Sequence, residues 1–131
     1  MSADPEIIAA VEDKECQELR DWAAQIKMGW YLQTDMVMVT TGKSCAGYFD
    51  KNGLVMYYED WHPDIDLNQC FMLVEKMRKE GWRLCIKGDS AMFETLPIVR
   101  NYRLTDWFYT GKLALTILKA AKDTEKQNGN D

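Results

Sequence analysis

The chain has 131 residues, 47% of them apolar and 28% charged, a formal net charge of −5 and a pI near 4.9. That is the size and composition of one domain with a real core, and it excludes the low-hydrophobicity class of disordered chains. The acidic balance argues against broad binding to a nucleic-acid backbone, which draws its affinity from lysine and arginine.

Asp4-Pro5 predicts a helix start, with a capping carboxylate followed by proline at the first helical position. Ile8, Val11, Leu19, Trp22, Ala23 and Ile26 continue a helical stripe, and Gly29 supplies a stop. The pattern leaves open whether this is one helix or two. The period then shortens. Asp35–Thr41 is rich in β-branched residues and predicts a strand, and Thr41-Gly42-Lys43-Ser44 a turn. Tyr48-Phe49 and Leu54–Glu59 flank Asp50-Lys51-Asn52-Gly53, a hairpin signature.

Trp61-His62-Pro63 is a break, because proline turns His62 away from helix. Asp66 and Gln69 have the spacing of a capping box, opening a second helix through Leu67, Cys70, Phe71, Val74 and Met77 and closing at Gly81. Alternation along Trp82–Lys87 predicts a strand, and Gly88-Asp89-Ser90 turns it into another over Ala91–Leu96. The stretch from Pro97 to Leu104 is ambiguous. Thr105 has the chemistry to cap a third helix from Asp106 to about Lys122, leaving residues 123–131 as a polar, disordered tail to a single domain of residues 1–122. Three amphipathic helices and four or five mainly antiparallel strands imply an α+β fold, a three-layer α-β-α sandwich.

The opening residues carry neither a basic nor an apolar signal region, and no apolar run approaches the roughly 20 residues of a membrane span. A soluble, cytoplasmic chain without membrane contact is expected. Cys16, Cys45, Cys70 and Cys85 form no CxxC pair and share the chain with one histidine, so reduced thiols are expected, with no disulfide, metal or cofactor.

Three segments carry a resemblance. Lys27-Met28-Gly29-Trp30, the run Trp61-His62-Pro63-Asp64-Ile65-Asp66 leading into Leu73–Trp82, and Leu113–Ala121 resemble helix-closing and helix-opening segments of the phage ABA sandwich family. Trp107-Phe108-Tyr109-Thr110 departs from the small residues expected at the start of that family's last helix. The resemblance implies the sandwich architecture, an origin in a phage or prophage and residence in a bacterial host cell. It implies no reaction.

Among candidate sites, Gly42-Lys43-Ser44 lacks the upstream glycine and following helix of a phosphate-binding loop and reads as a surface turn. His62 is the only imidazole, with Asp64 and Asp66 close in sequence, so any acid–base mechanism would centre on it. The aromatics come in adjacent groups: Trp30-Tyr31, Tyr48-Phe49, Tyr57-Tyr58 and Trp107-Phe108-Tyr109. Strand neighbours point to opposite faces, so the outward members can form a platform that stacks on a base or grips a protein, unless helices cover both faces. The expected ligand site is the Trp61–Asp64 break, with Trp61, His62, Tyr57 or Tyr58, and Arg100 or Arg103 meeting an anionic group. The reading is a phage-associated, non-enzymatic binder that sequesters a small nucleotide-like ligand or inhibits a host protein. The alternatives are a small enzyme using His62 with a carboxylate or thiol, and an assembly protein of a phage particle. Oligomeric state is open.

Overall fold

The computed structural model describes residues 5–96 and 102–128, with side chains described for 13–96 and 102–126. The first helix, α1 (Pro5–Trp22), runs without a break into a π-helical turn over Ala23–Lys27. The Met28 N–H bonds to the Ala23 carbonyl at 2.9 Å, and Gly29 then leaves the helix at φ 72°. Because the chain reverses there, the strand that follows begins earlier than the Asp35–Thr41 run suggests.

Strands β1 (Tyr31–Val37), β2 (Ser44–Asp50) and β3 (Gly53–Tyr57) form an antiparallel sheet in that order. Asp35, at φ 59°, marks a register shift in β1, and Met38 to Gly42 bend into the turn before β2, with every residue from Val39 to Ser44 exposed. The expected β2–β3 hairpin is present: Asp50 pairs with Gly53, and Gly53 takes φ 115°.

Helix α2 (Leu67–Lys79) is capped by Asp66, which accepts from the Asn68 and Gln69 N–H groups. The reciprocal half of the expected capping box is absent. The Gln69 side chain instead accepts the His62 N–H at 2.5 Å and donates to the Asp60 carbonyl at 2.7 Å, tying the preceding loop to the helix. The buried face of α2 also differs from expectation. Cys70, Leu73 and Met77 are buried, whereas Phe71 is 45% exposed and Leu67 is exposed too. The apolar stripe is broader than the face that packs, and periodicity alone does not select the packed edge.

Strands β4 (Trp82–Lys87) and β5 (Ser90–Thr95) make a separate two-stranded sheet. The turn between them places glycine first at φ 60°, the preference of a two-residue hairpin with one left-handed position. Residues 103–108 lie antiparallel along β5. The Thr95 N–H donates to the Arg103 carbonyl, and Ala91 and Phe108 exchange both backbone bonds. Thr105 therefore does not cap a helix. Its N–H donates to the Phe93 carbonyl and its hydroxyl accepts the Phe93 N–H at 3.0 Å.

The last helix, α3, starts at Leu113 after Gly111 (φ 83°) and continues to Asn128, so residues 123–128 are helical rather than a disordered tail. The polar side chains there have interior partners. Thr124 is fully buried, and Asp123, also buried, accepts the Asp106 N–H. The described residues thus form an α+β sandwich of three α-helices and five antiparallel strands, the strands divided between two sheets instead of one. Helices α2 and α3 pack on β4 and β5, and α1 packs on α3. Among the described residues no helix is long and apolar enough to cross a membrane.

Candidate functional site

The loop after β3 is the place the sequence nominates, and the structure builds it as a joint between layers. Trp61 is only 1% exposed. Its ring meets Trp30 edge-on at 4.8 Å between centroids, and its indole N–H donates to the Arg20 carbonyl at 2.9 Å. A ring held this way is core and offers no face to a ligand. Pro63 beside it is equally buried.

Asp64 is buried and pairs with Arg20 at 3.1 Å, while its other oxygen, Oδ1, has no hydrogen-bond partner among the described residues. The His62 ring donates from Nε2 to the Glu59 carbonyl at 2.6 Å. The carboxylate that sequence proximity offers to His62 is thus engaged elsewhere, and the expected pairing of His62 with Asp64 does not form.

Tyr58 is half-buried and belongs to the same joint. Its hydroxyl donates to Asp21 at 3.3 Å and accepts from the Gln17 amide, and Asp21 also takes the Tyr48 hydroxyl at 3.2 Å. Burial, reinforced by the Asp21 charge, holds the Tyr48 phenol above its ordinary range. Arg103 lies beside β5, its backbone bonded to Thr95 through N–H and carbonyl. Arg100 lies outside the described residues. Of the nominated group, Tyr57 is half-buried and its strand register places it on the outer face of the first sheet.

Directly paired residues share a face, and the register aligns Tyr31 with Phe49, Phe49 with Leu54, Gly47 with both Gln33 and Tyr57, and Met36 with Cys45. The opposite face carries Tyr48, which is fully buried. The Tyr31 and Phe49 rings stack at 5.7 Å with 19° between their planes. Tyr31 is 56% exposed and Leu54 44%, so among the described residues no helix covers these two side chains. The split of Tyr48 inward and Phe49 outward follows strand alternation.

Gly47 makes the surface continuous. A Cβ there would stand 2.8 Å from Leu54 Cδ1 and 3.3 Å from Met36 Sδ, so both apolar side chains close over the bare backbone. A glycine in mid-strand signals such an approach in sequence, but says nothing of which side chains arrive. None of these eight paired positions is Lys, Arg, Asp or Glu. An antiparallel sheet that packs one face on a core ordinarily shows polar residues on the other; here the outer face is mostly apolar, with Gln33 its one amide side chain among these positions.

Two other features stand apart. On the second sheet, Glu94 accepts from Arg83, Tyr102 and Cys85, bonds that hold its carboxyl below the usual range. Cys16, Cys45, Cys70 and Cys85 are free thiols. Among the described residues no three His, Cys, Asp or Glu side chains converge as a metal site would require. Comparison of the chain with protein-family models, with curated proteins and with solved structures finds no match.

Proposed function

We propose that this chain is a non-enzymatic binding protein that docks a partner protein on the outer face of its first sheet. The observation that carries the reading is the stack of exposed Tyr31 on half-buried Phe49, continued by Leu54, Met36 and Tyr57 over Gly47. Contiguous apolar surface of this kind is characteristic of protein interaction sites, where aromatic anchors dominate the energy. A nucleotide-like ligand is the weaker fit, because the face offers rings but no cation for a phosphate. The resemblance to the phage ABA sandwich family supports a phage or prophage origin, and with it a bacterial host protein as the partner.

The test is a photo-crosslinking residue placed at position 31, with the exposed Phe71 position of α2 as control, in an extract of bacterial cells. A discrete adduct from position 31 that is absent from position 71 supports the reading. Gly47→Ala should weaken that adduct while leaving the melting temperature near the parent value, since the displaced Leu54 end is flexible. An adduct of equal yield from position 71, or none from position 31, overturns it.

A further inference from the structure

The pairing of α1 with α3 leaves a groove of about 390 Å³, a volume within the range of small-molecule sites. Its floor is apolar, made by Leu19 and by Phe108 from the segment beside β5. The α1 wall is acidic, and the α3 wall mixes three lysines with Asp123 and Glu125. Glu15 and Glu18 rise from α1, and Lys119, Lys122 and Lys126 follow one stripe of α3 at three- and four-residue spacing.

Several of these charges are already engaged. Lys122 lies 2.5 Å from Glu125 and 5.2 Å over the Trp22 ring, while Glu125 also takes the Trp22 indole N–H. Lys126 pairs with Asp123, itself buried and bonded to the Asp106 N–H. The charges at this end of the groove are therefore paired. Lys119 on one wall, and Glu15 and Glu18 on the other, have no ion-pair or hydrogen-bond partner among the described residues. Lys119 is half-buried, whereas Glu15 and Glu18 are exposed.

We infer that the groove binds a small dipolar amphiphile. Its apolar chain lies over Leu19 and Phe108, an anionic end such as a carboxylate meets Lys119, and a cationic end such as an amine meets Glu15 and Glu18. A ligand with one charge satisfies one wall and leaves the other unpaired. Both charges together, spaced by an apolar stretch, complement the whole groove. The site is independent of the first sheet, and its test does not depend on any protein partner.

The probe is ω-aminooctanoate, compared with octanoate and octylamine, in NMR titrations that follow Leu19, Lys119 and the Trp22 indole N–H. Saturable shifts at these residues are expected, with both singly charged probes about fivefold or more weaker, the scale of one partly exposed ion pair. Lys119→Gln and Glu18→Gln, both surface changes that leave the core intact, should each reduce affinity for ω-aminooctanoate while leaving the melting temperature in place. Equal affinity for all three probes overturns the inference, as do shifts that map away from the groove or the lack of any saturable shift.

Discussion

At the scale of single residues, ionisation is governed by where a side chain is buried. Cys70 lies on the buried face of α2 with its thiol donating to the Ala114 carbonyl, and burial pushes that thiol from 9.0 up to about 12. Tyr48 is raised for the same reason, with Asp21 adding to it. Both groups hold their protons more tightly folded than unfolded. Their contribution to stability is therefore complete below the unfolded pKa and is lost as pH rises toward the folded one. Unfolding free energy should fall as pH climbs from 9.0 toward about 12, and Cys70→Ala should flatten that decline relative to the parent. Chemical denaturation across this range measures it, and identical slopes for parent and variant would show that Cys70 carries no part of the effect. In sequence Cys70 stands on the apolar arc of the second helix, beside Phe71, which the structure leaves exposed. Its shift comes entirely from what packs over it.

At the scale of elements, α2 shows how far a helical pattern reaches. Leu67, Cys70, Phe71, Val74 and Met77 describe a broad apolar arc, and its boundaries, with Asp66 ahead and Gly81 behind, are legible in sequence because capping and left-handed glycine are local chemistry. Which edge of the arc packs depends on the position of α3 and β4, and the structure selects Cys70, Leu73 and Met77. Leu73→Ala should then cost about 3 kcal/mol, through lost burial and the cavity left behind. Phe71→Ala should stay within about 1 kcal/mol of the parent, as a change on an exposed position. Denaturant unfolding of the two variants checks the order, and a larger loss at Phe71 would return the packed edge to the one that periodicity suggests. The same limit applies to Thr105. Its capping chemistry is real, but β5 offers it a backbone N–H to accept, and that long-range bond replaces the local one.

At the scale of the whole molecule, the end of α3 closes the fold. The sequence from Asp123 onward is polar and reads as tail, yet Thr124 is fully buried, Asp123 receives the Asp106 N–H, and Glu125 receives the Trp22 indole. These bonds join α3 to α1 and to the segment beside β5. Truncation after Lys122 should therefore destabilise the domain by on the order of 3 kcal/mol, since it strands two donors and strips the end of the last helix. The comparison of melting curves for full-length and truncated chains is decisive: a disposable tail predicts that they superimpose.

What the amino-acid sequence determined by itself was whatever depends on near neighbours. The α+β class, the Asn52-Gly53 hairpin, the Asp66 cap, the glycine stops and the inward–outward split of Tyr48 and Phe49 all follow from backbone preference and side-chain alternation. Contacts between distant segments decided the rest. Trp61 became core because Trp30 and the Arg20 carbonyl surround it, Asp64 turned to Arg20 instead of His62, and polar residues near the C-terminus found buried partners. The outer face of the first sheet is the same case in reverse. Alternation made Phe49 point away from Tyr48, but only the packing of the helices elsewhere left Tyr31 and Leu54 exposed, because burial is a property of what the rest of the chain brings near.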